Sequence, residues 1–87
     1  MTPCIVFVAN TEKANVISVR NEAIRAAQDK GFECIVYDSN SSLSSLSEKD
    51  ILFVAAFGGD GTILKSVRLA VAIGVPILGI NLGRVGF

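Results

Sequence analysis

Ile51-Leu52-Phe53-Val54-Ala55-Ala56-Phe57 is a continuous apolar run of strand length, and it breaks at once into Gly58-Gly59-Asp60-Gly61-Thr62. A strand with no polar alternation has no wet face, which is the pattern of a parallel sheet covered on both sides. The glycines mark a sharp exit from that strand. Beyond them the period changes: Ile63, Leu64, Val67, Ala70 and Val71 fall on one face of a helix that Gly74 and Pro76 then stop. Ile77-Leu78-Gly79-Ile80 reads as the next strand, and Asn81-Leu82-Gly83-Arg84-Val85-Gly86-Phe87 as a second glycine-spaced loop.

The upstream half repeats the alternation. Cys4-Ile5-Val6-Phe7-Val8-Ala9 is a β-branched, apolar strand closed by Asn10-Thr11, a turn-and-cap pair. Helical spacing runs from Glu12 to Lys30, with Val16, Val19, Ala23, Ala26 and Ala27 as its apolar stripe. Glu12 in the first turn and Lys30 in the last suit the helix dipole, and Gly31 suits the left-handed position that follows. Phe32 to Tyr37 is the second strand. Ser39 to Ser47 is a polar, low-complexity connector whose Leu43 and Leu46, three apart, admit one helical turn. The order βαβ-loop-βαβ predicts an α/β domain: an open parallel sheet of four strands in three layers, with right-handed crossovers and two main helices.

Composition agrees and removes several classes of chemistry. The chain has 87 residues, which corresponds to one small domain over 1–87. Apolar residues make up 51% and the mean hydropathy is +0.54, a high value that two-sided burial accounts for. The longest uncharged apolar stretch, Leu69 to Leu82, is broken by Gly74, Pro76, Gly79 and Asn81, and falls short of the ~20 residues a membrane-spanning helix needs. A formal net charge of 0 gives no electrostatic footprint for nucleic acid. Neither a membrane nor a nucleic acid is therefore an expected partner. Cys4 and Cys34 sit in apolar runs without a CxxC spacing, so they are expected as buried free thiols in a reducing, cytoplasmic setting. The sequence contains no histidine, which excludes Ser-His-Asp and Cys-His nucleophiles and every histidine-based metal site.

What remains is carboxylates, backbone amides, lysine and arginine, and a metal brought by substrate. In open α/β sheets ligands bind beyond the carboxyl ends of the strands. Both glycine-rich loops, 58–62 and 81–87, follow strands, so both are expected to flank one crevice. Gly58, Gly59 and Gly61 remove Cβ atoms where a strand becomes a helix, which lets backbone N–H groups approach an anion at a helix N-terminus. Asp60 among them would repel a phosphate at close range and is better employed on a hydroxyl or on bound Mg²⁺. A phosphate cradle beside a hydroxyl-directed carboxylate is what phosphoryl transfer to an alcohol requires. By residue type alone, 58–62 is also compatible with an ordinary strand-to-helix turn in which Asp60 is a polar cap. The spacing is neither a P-loop nor a dinucleotide fingerprint, although Asn81, Gly83 and Gly86 fall at the fingerprint's spacing in the later loop. Lys65 and Arg68 read first as a solvated helix face, with Lys65 near enough to Asp60 to reach a phosphate or ribose. Phe87 reads as core or as a ring bordering the crevice.

Gly58-Gly59-Asp60-Gly61-Thr62 resembles the GGDGT motif of NAD kinases, of diacylglycerol and sphingosine-type lipid kinases and, more loosely, of phosphofructokinases. Val75-Pro76-Ile77-Leu78-Gly79-Ile80-Asn81-Leu82-Gly83-Arg84-Val85-Gly86-Phe87 is similar to the NAD-kinase pattern P-hydrophobic-hydrophobic-G-I-N-x-G-x-L-G-F, with Val85 where leucine is usual. Lipid kinases place a G-T-x-N-D string there instead. The resemblance to the NAD kinase family implies a Rossmann/flavodoxin-like N-terminal domain, NAD and ATP or polyphosphate as substrates, and Mg²⁺ accompanying the phosphoryl donor. It implies that Asp60 is the catalytic proton acceptor for the NAD 2′-hydroxyl. It further implies that Gly58, Gly59, Gly61, Lys65, Asn81, Gly83 and Phe87 border the dinucleotide. The family continues into a β-rich second domain that completes the site. The chain is therefore expected to be a truncated, inactive piece, and its high apolar content to favour a homo-oligomer. A non-catalytic nucleotide-binding module and a lipid kinase are the alternatives the motifs leave.

Overall fold

The computed structural model describes residues 2–82. Four strands and two helices alternate along the chain: β1 (Pro3–Ala9), α1 (Ala14–Asp29), β2 (Glu33–Val36), β3 (Asp50–Gly58), α2 (Asp60–Ile73) and β4 (Ile77–Asn81). All strand pairs are parallel, in the order β2-β1-β3-β4. The chain therefore winds outward in one direction through α1 and in the other through α2. The two helices cover opposite faces, and the reversal of direction falls between β1 and β3.

The two-sided burial expected of the central strands is present. On the α1 side, Ile5 and Phe7 of β1 and Ala55 and Phe57 of β3 pack with Val16, and the rings of Phe7 and Phe57 stack at a centroid distance of 6.1 Å. On the α2 side, Val6 and Val54 pack with Leu69 and Ala70. Alternate residues of β1 and β3 thus serve different cores, which is why neither strand shows a polar period.

Three local expectations need correction. The first helix begins at Ala14, not Glu12, with Lys13 at its N-cap in an extended conformation. Asn10 does not cap it. The Asn10 Oδ1 atom accepts the Glu12 N–H at 3.0 Å and turns the loop instead, a local bond that asparagine makes in competition with capping. At the far end Gly31 does take the left-handed conformation, with φ +92°.

The second correction concerns α2. Leu64 and Val71, expected to face the core, are 56% and 75% exposed, and Val67 is exposed too. The buried positions are Ser66, Leu69 and Ala70. Ser66 belongs on an apolar face because its hydroxyl donates to the Thr62 carbonyl at 2.8 Å, so no polar atom is left unsatisfied. Gly79 then sets how close the helix lies to β4: a Cβ there would touch the Ile63 side chain at 3.4 Å.

The third concerns the polar connector. It contains a 3-10 helix, Leu43–Leu46, whose Leu46 is buried against the α2-side core. One leucine is enough to anchor a segment that composition alone presents as a spacer. Among the described residues, no helix is long and apolar enough to cross a membrane.

Candidate functional site

Gly58 ends β3 and lies in register with Asn81 at the end of β4, so the two glycine-rich segments leave the sheet side by side at its carboxyl edge. The Leu82 N–H donates to the Gly58 carbonyl at 2.9 Å and ties the second segment to the first. The Asn81 side-chain amide donates to Asp60 Oδ1 at 3.0 Å, across a sequence separation of 21 residues. Asp60 is exposed, in the first turn of α2, where the partial positive charge of the helix favours its carboxylate.

The three glycines of the turn differ in what they do. Gly58 has φ +153°, and a Cβ there would meet the Thr62 Cβ and Oγ1 at 3.0 Å and the Asn10 Cβ at 3.3 Å. This position is needed for the chain to pass between the β1 loop and α2. Gly59 and Gly61 are unlike it: a Cβ at either meets nothing within 4 Å. Gly59 is extended (φ −94°, ψ −168°) and caps α2 without any side-chain bond. The fold would accept a side chain at both positions, so their bareness keeps backbone amides open to the outside of the molecule.

On the other side of the turn from Asn81, a cleft of about 440 Å³ opens over the ends of β1 and β2. Asn10 and Thr11 of the β1 loop, Tyr37 and Asp38 beyond β2, and Thr62 and Lys65 of α2 line it. The Asn10 N–H donates to the Phe57 carbonyl at 3.1 Å, which fixes the β1 loop against the end of β3. Asp38 is held by its own turn, where Oδ1 accepts the Asn40 N–H at 2.9 Å.

Of the residues expected at the site, Gly58, Gly59, Asp60, Gly61 and Asn81 gather at the turn. Lys65 lies on the cleft side, while Gly83 and Phe87 fall outside the described residues. The cleft residues Asn10, Tyr37, Asp38 and Thr62 were not foreseen. The edge rule that picks out the loops after β3 and β4 applies equally to those after β1 and β2.

The family model of the ATP-NAD kinase N-terminal domain matches residues 15–87. The chain belongs to the NAD kinase family. Curated NAD kinases match it along nearly all of its length. That of Treponema pallidum (strain Nichols) is 34% identical over 85 residues, covering 95% of this chain and 28% of the relative. That of Moorella thermoacetica is 33% identical over 89 residues, covering 93% and 29%. That of Methanopyrus kandleri is 34% identical over 84 residues, covering 88% and 30%. This NAD kinase domain therefore spans less than a third of the length of those relatives, and the matched stretch includes both glycine-rich segments.

Proposed function

We propose that this chain is the part of an NAD kinase that presents the adenosine 2′-hydroxyl of NAD to a phosphoryl donor, ATP or polyphosphate, to give NADP. The observation that carries the reading is Asp60. Its carboxylate stands at the carboxyl edge between two glycines that the fold itself does not require, and the end of the neighbouring strand holds it through Asn81.

Each residue then has a task set by its position. Asn81 engages Oδ1 of Asp60, and Oδ2 receives the 2′-hydroxyl proton as a hydrogen bond. As the 2′-oxygen forms its bond to the terminal phosphorus, the donor's bridging P–O bond breaks and the hydroxyl proton passes toward Asp60. The bare amides of Gly59 and Gly61 face the phosphate oxygens. The family resemblance adds Lys65, Gly83 and Phe87 as NAD contacts. Among the described residues no group of three or more acidic or cysteine side chains could hold a metal. A divalent ion is accordingly assigned to the donor's phosphates, where it would neutralise their charge, with Asp60 as the nearby carboxylate of the turn.

The test is Asp60→Asn in the intact enzyme that carries this domain. Turnover should fall by two orders of magnitude or more, roughly the contribution of a positioned acid-base group, while the KM for NAD changes little. Equal losses in both would reduce Asp60 to a binding residue and refute the assignment. The 87-residue chain alone is expected to form negligible NADP.

A further inference from the structure

We propose that the cleft over β1 and β2 holds the nucleoside of the phosphoryl donor, which makes a nucleotide the donor this domain is shaped for. The inference rests on the proposed function, because it begins from an acceptor hydroxyl at Asp60. Phosphoryl transfer places the entering and leaving oxygens on opposite sides of the moving group. The Gly58–Asp60 turn sits at the end of β3, and the sheet order puts β4 on one side of it and β1 and β2 on the other. Asp60 is bonded to Asn81, on the β4 side. An acceptor approaching from there leaves only the β1 and β2 side for the donor, and that is where the cleft lies.

Size and lining agree with a nucleoside. About 440 Å³ falls in the range of small-molecule sites, and open inorganic phosphate chains need no such hollow. Tyr37 offers a half-buried ring edge for a base. Asp38 lies two residues beyond the end of β2, where an acidic side chain of an α/β nucleotide-binding unit accepts ribose hydroxyls. Lys65 and Thr62 stand between these groups and the turn, so phosphates can pass from the cleft to the amides of Gly59 and Gly61.

The experiment is a ¹⁵N amide-shift titration of the 87-residue chain with three separate probes: Mg-ADP, Mg-tripolyphosphate and NAD. Mg-ADP should shift amides at Asn10–Thr11 and Asp38–Ser39 as well as the 59–62 turn. Mg-tripolyphosphate should shift the turn alone, and NAD should shift the turn and Asn81–Leu82. Asp38→Asn keeps the Oδ1 acceptor of its own turn and removes the charge. It should weaken Mg-ADP by about tenfold, the scale of one charge-assisted hydrogen bond, and leave Mg-tripolyphosphate and NAD unchanged. If Asp38→Asn fails to fold, Thr11→Trp fills the cleft from an exposed loop and should have the same selective effect. The proposal is overturned if Mg-ADP shifts no more than the turn, if it shifts nothing, or if the folded variants bind it as the parent does. Shifts at Asn81–Leu82 with NAD but none in the cleft with Mg-ADP would sink the cleft and spare the kinase reading. Cleft shifts with Mg-ADP and none anywhere with NAD would do the reverse.

Discussion

Gly58 and Gly61 belong to one motif yet carry opposite consequences for stability. At Gly58 the backbone has positive φ, and a methyl group would press on Thr62 and Asn10 at 3.0 and 3.3 Å. Gly61 is an ordinary helical residue with open space where a Cβ would stand. Glycine in a helix costs up to about 1 kcal/mol relative to alanine, largely through the freedom of the unfolded chain. Gly61→Ala should therefore raise the unfolding midpoint by a few degrees, since about 1 kcal/mol corresponds to roughly 4–8 °C in a domain this small. Gly58→Ala should lower it. In the intact kinase Gly61→Ala should nevertheless reduce kcat/KM, because the methyl occupies the space through which phosphate oxygens reach the amides. Thermal unfolding of both variants, paired with NADP formation, checks the two signs. A destabilised Gly61→Ala would mean the fold needs that glycine too, and its value as a pointer to ligand would be gone.

At the scale of elements, α2 shows which parts of the fold its residues announced. Its ends were legible because each is chemically marked: glycines at the start, and at the finish Gly74 with φ +74°, its N–H on the Val71 carbonyl. Its orientation was not. The heavy apolar side chains Leu64, Val67 and Val71 form a stripe as good as the one that packs, and Ser66 conceals the true inward face by bonding its own helix. Leu69→Ala is accordingly expected to cost about 2–5 kcal/mol, the usual loss for a buried leucine, whereas Leu64→Lys should change stability by no more than about 0.5 kcal/mol. Chemical denaturation of the two variants separates the faces, and the reverse ranking would rotate the helix. The same distinction holds for the site. Asp60 and Asn81 were legible because strand ends converge by rule. Asn10 and Asp38 were missed because each is an unremarkable turn residue until the strand order places β1 and β2 beside the turn.

For the whole molecule, the two-sided sheet has a consequence in its titration. Cys4 on β1 is fully buried and Cys34 on β2 partly so, with Cys34 beside Ile5 in the parallel register. Burial pushes both thiols above their ordinary value of 9.0, and the Glu33 carboxylate adds to it. The folded chain thus keeps these protons to a higher pH than the unfolded chain does. Stability from this source is complete below pH 9.0 and is lost as pH rises through the folded values. Lys49 acts in the same sense, raised by its hydrogen bond to Glu33 at 2.9 Å, but only from its higher ordinary value of 10.5. The interval between 9.0 and 10.5 therefore reports chiefly on the thiols. The unfolding midpoint should be level below that interval and decline across it. In the double variant Cys4→Ala/Cys34→Ala the midpoint should start lower, from the lost packing, and stay level across the same interval. Circular dichroism melts at stepped pH make the comparison, and an undiminished decline in the double variant would assign alkaline sensitivity to groups other than the buried thiols.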